Sequence, residues 1–327
     1  MHRIRRTVLL LLAALALTPG RGTVHAASPD AADAGEAPAA VAPGLRPAVL
    51  VTGASTGIGR RVTEHLASRG YVVFAGARKD ADLQALAAIP NVEALRLDVT
   101  RPEEVAAAAE RVRRSGRPLA GLVNNAGIAF AGSIIDSNEA DFDALMQVNL
   151  YGVYRVTKAF APLVAAAQGR IVNIGSISGI LSSRDLAAYA ASKHAIEGYS
   201  DSLAAELAPA GVAVAIVEPG NYDSEIFRSN AARSTSARVS PDRSRYKKPD
   251  EVAATVLRAL SEPRPQRRYM IVPNAQEAEW TIRKAIEELV QLNEGQAYTY
   301  DRDTLVRMLD EALAGSRPRR EPDAAAR

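Results

Sequence analysis

Tyr189 and Lys193 stand four residues apart in a run rich in alanine and serine, so a helix would place a phenol and an ammonium group on one face. A free tyrosine has a pKa of about 10 and exchanges protons poorly at neutral pH, but a neighbouring cation favours its phenolate. Ser176 comes thirteen residues before Tyr189, just past an apolar run, where its hydroxyl could hold a substrate oxygen. The Tyr-Lys spacing alone arises often by chance. The position of Ser176 adds weight to the interpretation that these residues exchange a proton with a substrate.

Three glycines, Gly53, Gly57 and Gly59, are spaced G-x-x-x-G-x-G between an apolar run and a helical segment. Glycine lets the backbone turn sharply and approach a pyrophosphate, whose negative charge meets the positive end of the following helix. The segment predicts a nucleotide-binding loop, with a turn that merely needs glycine as the structural alternative. The other predicted contacts in this loop are Ser55, Thr56 and Ile58.

The second predicted strand ends in two cations, Arg78 and Lys79. A site that prefers NAD usually has an acidic residue there to bind the adenosine 2′-hydroxyl. Arg78 could instead form a charge-assisted clamp on a 2′-phosphate, with Ser55 as a neutral donor nearby. The sequence therefore predicts NADP(H) as the preferred cofactor and leaves NAD(H) open, and a solvated Arg-Lys pair is the structural alternative.

Asp98 and Val99 follow the third predicted strand, where they are placed to meet the adenine ring of a nucleotide. Asp98 could equally cap the helix that begins near Pro102. Both residues are included among the predicted cofactor contacts.

Short β-branched runs alternate with longer Ala- and Leu-rich segments from residue 48 onward, which is the pattern of βα units around a parallel sheet. Strands are predicted at 48–52, 71–75, 92–97, 121–124, 170–175, 212–217 and 269–272, and helices at 57–68, 101–114, 141–166, 187–208 and 249–260. The predicted fold class is α/β: a Rossmann-type doubly wound parallel sheet in three layers, forming a single domain over 48–275. A C-terminal helical extension over 276–315 and a disordered tail over 316–327 follow.

These residues together resemble the short-chain dehydrogenase/reductase family, and the resemblance covers residues 48–272. The matching segments, in order, are 52–59, 124–127 after the fourth strand, Asn149, Ser176, Tyr189 with Lys193, and 219–220 after the sixth strand. The stretch 176–203 looks most like the subgroup that acts on steroids and retinoids, although fold-level analogy does not fix a substrate.

The resemblance implies that Tyr189 is the general acid/base, and that Lys193 both lowers its pKa and binds the nicotinamide ribose. It implies that Ser176 hydrogen-bonds the substrate oxygen and that Asn149 helps a water molecule relay protons to Lys193. The further implied cofactor contacts are Asn125, Ala126 and Gly127, together with Pro219 and Gly220 at the nicotinamide carboxamide. The implied reaction is reversible hydride transfer between the nicotinamide and a carbonyl or secondary alcohol carbon of a small molecule.

Several of these residues also have a structural interpretation. Asn149 could satisfy backbone groups, Ser176 could end a strand, and Asn124 could brace two strands. The dipeptide at 219–220 could be only a turn. Family members often have a threonine three or four residues after that turn, whereas this chain offers Ser224.

Two segments outside the cofactor site bear on the substrate and on assembly. Residues 223–248 are rich in serine and arginine, and in the family the corresponding stretch closes over the substrate, so their polarity indicates either a polar substrate or a mobile lid. The apolar residues of 280–290 could be core, a lid support or an oligomer face, with core packing the favoured interpretation. We expect a homo-oligomer, either a dimer or a tetramer.

His65 and His194 have no second ligand pattern nearby, so no metal site is predicted.

Residues 1–26 have the composition and order of a signal peptide: a basic start, an apolar run at 8–17 and a small-x-small pattern before Ala27. The apolar run is too short for a transmembrane helix, which needs roughly 20 residues, so no stable membrane span is expected after cleavage. Arg5-Arg6 partly matches a twin-arginine export signal. We predict an exported protein, periplasmic or secreted, with an Ala/Pro-rich linker at 27–47; a cytoplasmic or N-terminally anchored protein is the alternative.

The charge and cysteine counts exclude several function classes. Four of the 40 basic residues lie in residues 1–26, which carry no acid, so the remaining chain has 36 basic against 37 acidic residues and a net charge of −1. That balance gives no global electrostatic case for binding nucleic acid. The absence of cysteine excludes disulfides, thiolate zinc sites and cysteine nucleophiles.

The alternative function is a non-catalytic NADP-binding or sensor protein. The intact Ser176, Tyr189 and Lys193 argue against it.

Overall fold

The computed structural model describes residues 45–236 and 242–316, so the predicted signal peptide, nearly all of the predicted linker and the predicted tail after residue 316 lie outside the described residues. Within the described residues, seven strands form one sheet in the order β3-β2-β1-β4-β5-β6-β7, and every neighbouring pair is parallel. The strands are β1 (Ala48–Val51), β2 (Val72–Ala77), β3 (Val92–Arg96), β4 (Leu119–Asn124), β5 (Arg170–Ile174), β6 (Ala213–Pro219) and β7 (Arg268–Ile271).

The helices cover both faces of the sheet, as expected for a doubly wound α/β domain. They are α1 (Gly57–Ser68), α2 (Asp80–Ala87), α3 (Pro102–Arg114), α4 (Glu139–Asn149), α5 (Tyr151–Ala166), α6 (Ala187–Leu207), α7 (Asp250–Ser261), α8 (Ala275–Asn293) and α9 (Arg302–Ser316). Successive residues of β1 alternate between two cores because side chains in a strand point to opposite faces. Val49 and Val51 pack with α1 and α7, whereas Ala48 and Leu50 pack with α3 and α5. The predicted three-layer fold is confirmed.

The order of the strands positions the functional site. The chain runs outward from β1 to β2 and β3, then returns to the other side of β1 to form β4. Helical connections therefore leave β1 and β4 on opposite faces of the sheet. This reversal opens a crevice at the carboxyl ends of β1 and β4, which is where open parallel sheets bind their ligands.

Two helical predictions were wrong. The helix α2 (Asp80–Ala87) was not predicted, because Leu86 is its only buried residue and its apolar pattern is correspondingly weak. The single helix predicted over 141–166 is two helices, with Leu150 at φ −116° and ψ −61° between them. Asn149, the last residue of α4, is buried and hydrogen-bonds the backbone of Ile128, which fixes the end of α4 at this break.

The C-terminal extension is helical, as α8 and α9, but the favoured core packing of its apolar residues is wrong. On α8 only Glu277 and Thr281 are buried. Trp280, Ile282 and Ile286 are each about half exposed. The amphipathic pattern of α8 therefore marks a face that no described residue covers. No helix within the described part of the chain is both long and apolar enough to cross a membrane.

Candidate active site

A cavity of about 550 Å³ lies at the carboxyl ends of the strands. Ser176, Tyr189 and Lys193 line it, and so does every residue predicted to contact the cofactor: Gly53, Ser55, Thr56, Gly57, Ile58, Gly59, Arg78, Asp98, Val99, Asn125, Ala126, Gly127, Pro219 and Gly220. These residues come from seven separate segments of the chain, and the parallel sheet brings them together because each segment follows or lies near the carboxyl end of a strand. Asn149 is the predicted site residue that does not line the cavity.

The loop after β1 forms a cradle in which three positions carry no side chain. Gly53 and Gly57 have φ values of +64° and +55°, in the left-handed region that favours glycine. A Cβ atom on Gly59 would lie 2.2 Å from the Gly53 carbonyl oxygen and 2.3 Å from Asn125 Nδ2. The first turn of α1 has neither a capping side chain nor an acidic residue, so its N–H groups remain available to an anion. This local structure fits the diphosphate of a dinucleotide.

Thr52 and Asn125 join the two strand ends that flank the crevice. The Thr52 hydroxyl accepts hydrogen bonds from the backbone N–H groups of Asn125 and Ala126, both at 3.0 Å. Asn125 Nδ2 donates to the Thr52 and Gly53 carbonyl oxygens at 2.9 and 3.1 Å. Asn125 therefore holds the glycine loop in place with its side chain. Asn124 braces the neighbouring strands, since its amide donates to Asn173 Oδ1 and to Thr157 Oγ1.

At the end of the cavity next to β2 and β3, the side chain of Arg78 is 62% exposed and its Nη1 lies 3.8 Å from Asp98 Oδ2. Asp98 Oδ1 accepts hydrogen bonds from the backbone and hydroxyl of Thr100. The residue that caps α3 is Arg101, without a side-chain hydrogen bond, so the alternative in which Asp98 caps that helix is wrong. Arg78 thus lies at the rim of the cavity with a guanidinium group accessible to a ligand.

The three predicted catalytic side chains meet at the inner wall of the cavity. Ser176 Oγ accepts from the Ser178 N–H at 3.0 Å, and this hydrogen bond orients the hydroxyl at the start of a short 3-10 helix. Lys193 Nζ donates to the Ile174 carbonyl oxygen at 2.8 Å and lies 5.7 Å from the centre of the Tyr189 ring. Tyr189 and Lys193 are on the same face of α6, as their spacing predicts.

Burial dominates the ionisation of the tyrosine and the lysine. It raises the pKa of Tyr189, while hydrogen bonding to Ser176 and the positive charge of Arg243 act in the opposite direction. Burial also lowers the pKa of Lys193 to about 8, which the charge of Glu197 partly offsets. The phenol is therefore protonated at neutral pH in the absence of a ligand, and the pKa of the lysine lies close to neutral pH.

Asn149 lies behind the cavity wall rather than in it. Its Oδ1 accepts from the Ile128 N–H at 2.9 Å, and its Nδ2 donates to the Ile128 carbonyl and to Ser192 Oγ at 3.0 and 3.1 Å. Both amide hydrogens are thus used inside the protein. Asn149 positions the segment after β4 against the helix that carries Tyr189, and its predicted part in a proton relay stays a prediction.

The C-terminal extension supports the turn after β6, whose residues Pro219, Gly220 and Asn221 line the cavity. Glu277 Oε2 accepts from the Asn221 N–H at 2.8 Å, and a Cβ on Gly220 would lie 2.2 Å from that same oxygen. Glu277 is fixed in turn by Asn274, which accepts from its N–H and donates to its Oε1, a reciprocal arrangement at the start of α8. Glu277 was missed by sequence reasoning, although the Asn-x-x-Glu pattern at 274–277 is a helix-start signal that could have located it.

Ser224 lies over the glycine loop. A Cβ on Gly57 would meet Ser224 Cβ at 3.3 Å, so the segment after β6 approaches the loop after β1 closely. Ser224 also lines the cavity.

Arg243 is a second residue of this wall that sequence reasoning missed. Only 6% of it is exposed, and it lines the cavity. Its Nε donates to the Tyr222 carbonyl at 3.1 Å and its Nη2 to Asn221 Oδ1 at 2.8 Å. Nothing in the local sequence distinguishes it from the other arginines of the segment 223–248.

A model of the family described as short chain dehydrogenase matches residues 47–235, more than half of the chain. The chain belongs to the short-chain dehydrogenase family. This dehydrogenase is 40% identical over 185 residues to the mitochondrial D-beta-hydroxybutyrate dehydrogenase of Bos taurus, a match that covers 54% of each chain. It is 36% identical over 183 residues to the 3-oxoacyl-[acyl-carrier-protein] reductase of Escherichia coli, covering 55% of this chain and 75% of that one. The chain spans about half the length of the mitochondrial relatives it matches.

Solved structures give the same assignment. A short-chain dehydrogenase from Burkholderia cenocepacia in complex with NADP aligns with a TM-score of 0.63 at 28% identity, covering 76% of this chain and 96% of that one. A short-chain dehydrogenase from Streptomyces avermitilis aligns with a TM-score of 0.62 at 28% identity, covering 84% and 99% of the two chains. Within the described residues of this dehydrogenase, no group of three or more His, Asp or Glu side chains is arranged to hold a metal ion.

Proposed function

We propose that this short-chain dehydrogenase interconverts a carbonyl group and a secondary alcohol of a small molecule, with NADP(H) as the preferred cofactor and Tyr189 as the general acid/base. The observation that carries the proposal is the meeting of Tyr189, Ser176 and Lys193 on one wall of a cavity that also contains the glycine cradle. A nicotinamide dinucleotide, when bound, supplies or accepts the hydride. Residues of this chain bind the substrate oxygen and transfer the proton.

Tyr189 and Ser176 act on the oxygen of the substrate. The Ser176 hydroxyl is held at the strand end and can hydrogen-bond the carbonyl oxygen, which polarises it for reduction. The phenol of Tyr189 is protonated at neutral pH because burial raises its pKa, so it can donate a proton to the same oxygen. In the oxidative direction the phenolate takes that proton back.

Lys193 supplies the nearby positive charge. Its ammonium group is buried, fixed by the Ile174 carbonyl and close to the ring of Tyr189. A buried cation stabilises a phenolate strongly because the local dielectric is low. Since burial lowers the pKa of Lys193 to about 8, the lysine can also pass a proton to the tyrosine near neutral pH.

The preference for NADP(H) rests on the rim of the cavity next to β2. Arg78 presents an accessible guanidinium group there, with Ser55 lining the same cavity. A planar guanidinium pairs well with phosphate through two parallel hydrogen bonds. Asp98, 3.8 Å from Arg78, could serve to orient the guanidinium.

The experiment that tests this function is a screen of carbonyl and alcohol substrates on the chain from residue 27 onward, run with NADP(H) and NAD(H) in parallel. We expect substrate-dependent oxidation or reduction of the cofactor, faster with NADP(H) than with NAD(H). Cofactor binding without turnover of any substrate would favour a non-catalytic binding protein instead.

The proposal includes export, which rests on the composition of residues 1–26 alone. A compartment outside the cytoplasm has no evident supply of NADPH, so folded export with bound nucleotide would explain the partial twin-arginine match. Sequencing the N-terminus of the protein isolated from cells tests this, because a chain beginning at Ala27 is expected. A chain that begins at Met1 would contradict cleavage. The prediction of a homo-oligomer stays a prediction.

A further inference from the structure

Arg243 is the most deeply buried arginine of the segment 223–248 whose exposure the structure describes, and it lies in the wall of the cavity. Burying a charged group is unfavourable unless the charge is paired. Its neighbour Arg245, two residues away, is exposed, which shows that the segment could have kept a cation in water at little cost. The burial of Arg243 therefore needs an explanation.

The described residues do not neutralise this charge. Two of its three nitrogen atoms donate to neutral oxygens, Nε to the Tyr222 carbonyl and Nη2 to the amide of Asn221. Within the described residues, no carboxylate lies within ion-pairing distance of Arg243, and its Nη1 has no hydrogen-bond partner. The acids in its neighbourhood, Asp223 and Glu277, interact with it only at longer range.

Aromatic rings fix the guanidinium in place. Its central carbon lies 4.4 Å from the centre of the Tyr246 ring and 5.5 Å from that of the Phe227 ring. Phe227 in turn packs against Tyr189, with ring centres 6.3 Å apart. The positive charge of Arg243 also acts directly on Tyr189. Arg243 is therefore a preorganised cation in the cavity wall beside the proposed acid/base.

An apolar surface lies between the tyrosine and this cation. Phe227 and Tyr189 belong to a small cluster of buried apolar residues completed by Ala129, Phe130 and Leu145. Of this cluster, Phe227 and Tyr189 line the cavity, so a substrate that places its reacting oxygen at Tyr189 and Ser176 would contact the Phe227 ring and have the guanidinium group beside that ring.

We propose that Arg243 binds a carboxylate of the substrate, so that this dehydrogenase acts on small oxo and hydroxy acids. This inference rests on the proposed function and narrows its substrate class. The carboxylate would accept charge-assisted hydrogen bonds from the Nη1 side of the guanidinium while the carbonyl or alcohol oxygen faces Tyr189. Because the cation is already ordered by Tyr246, Asn221 and Tyr222, little side-chain freedom would be lost on binding.

The test compares kcat/KM for oxo acids with kcat/KM for their uncharged methyl esters. Pyruvate, acetoacetate and levulinate carry the carbonyl at increasing distance from the carboxylate, and their methyl esters lack the charge. We expect wild-type protein with NADPH to reduce at least one acid with a kcat/KM on the order of 100-fold above that of its ester, the discrimination typical of a buried charged hydrogen bond. The ratio identifies carboxylate recognition without any mutation.

The matched variants assign that ratio to Arg243. Arg243→Gln is expected to lower kcat/KM for the preferred acid about 100-fold and that of the ester by less than about tenfold, since the ester loses only the effect of the charge on Tyr189, and to leave NADPH affinity unchanged. Arg243→Lys, which keeps the charge, should retain part of the preference for the acid. Arg245→Gln removes a cation from the same segment at an exposed position and should change none of these values.

Three results would overturn the inference. The first is a wild-type enzyme that reduces esters or other neutral ketones as well as it reduces the acids. The second is a preference for the acid that survives in a folded Arg243→Gln variant. The third is a loss of NADPH affinity equal to the loss of turnover, which would assign Arg243 to the cofactor. In these cases carbonyl reduction itself is intact; failure to reduce any carbonyl would instead overturn the proposed function and this inference together.

Discussion

Two parts of the site are built in different ways. The part that includes Gly53, Gly59 and Asn125 is made of backbone and short side chains at the ends of β1 and β4, where Asn125 bonds the loop and Gly59 packs closely against both. The other part is made of the segment after β6, which brings Arg243 into the cavity wall, and of the first turn of α8, whose Glu277 supports the turn after β6 from outside the cavity.

This difference teaches which part of the site is general and which is specific. The glycines of the loop after β1 leave room for a diphosphate at the N-terminus of α1, and every dinucleotide shares that group. Charged side chains on a segment outside the sheet can distinguish one substrate from another. Substitutions in the first part should therefore affect all substrates equally, and those in the second should affect some substrates more than others.

Among the substitutions that compare these two parts of the site, the largest effect is expected at the glycine cradle. Gly59→Ala would place a methyl group within 2.3 Å of both the Gly53 carbonyl and Asn125 Nδ2, so the loop must move. We expect NADPH affinity to fall more than about 100-fold, measured by titration of fluorescence, with turnover of every substrate lost in proportion. Gly198→Ala is the matched control, because nothing lies within 4 Å of a Cβ at that position. An unchanged affinity in Gly59→Ala would contradict the assignment of the loop.

The next effect is expected at the rim of the cavity next to β2. Arg78→Gln should weaken NADPH binding about 10- to 100-fold and leave NADH binding nearly unchanged, because only NADPH carries the 2′-phosphate. Binding titrations with the two cofactors measure this ratio. Arg101→Gln removes another exposed arginine and should not change it. Equal losses of affinity for the two cofactors would show that Arg78 does not bind the 2′-phosphate.

A smaller effect is expected at Glu277, which supports the turn after β6. Glu277→Ala leaves the Asn221 N–H without its acceptor, and we expect KM for substrate to rise about 10-fold. Glu277→Gln keeps an acceptor oxygen and should stay close to wild type. Glu279→Ala, on the exposed side of the same helix, is the control. Identical behaviour of the Ala and Gln variants would show that the hydrogen bond to Asn221 is not what matters.

The last effect concerns stability rather than activity, and it involves Glu218 on β6. Burial and the nearby Glu197 raise the pKa of Glu218 to about 8. An acid whose pKa is raised on folding binds its proton more tightly in the native state, so its contribution to stability is present at low pH and is lost as the pH rises toward 8. The free energy of unfolding should therefore fall between about pH 5 and pH 8, by at most about 1.4 kcal/mol per pH unit for this group.

Urea unfolding of Glu218→Gln tests this prediction. The variant should show a flatter dependence of stability on pH than wild type, because the titrating group is gone. Glu294→Gln, at an exposed position, should keep the wild-type slope. A slope as steep in Glu218→Gln as in wild type would show that another group is responsible.

The same contrast explains how far the sequence could predict the molecule. The glycine loop, the strand ends and the Tyr-Lys pair follow local patterns of a few residues, and the structure brings all of them to one cavity except Asn149. Arg243 and Glu277 both act on Asn221, which is distant in sequence; the local Asn274–Glu277 pattern marks a helix start but not that contact, and no local pattern marks Arg243. The helix α2 was missed because it buries a single residue, and the exposed face of α8 looked like core because amphipathicity does not say what covers the apolar side.

The central claim is that Tyr189 exchanges the proton in a carbonyl reduction. It is tested most directly by Tyr189→Phe beside Tyr199→Phe, a half-buried tyrosine on the same helix that does not line the cavity. With any carbonyl substrate that wild type reduces, we predict that Tyr189→Phe lowers kcat/KM by about 1,000-fold or more with little change in NADPH affinity, while Tyr199→Phe stays within about threefold of wild type. Activity of Tyr189→Phe within about tenfold of wild type would contradict the mechanism.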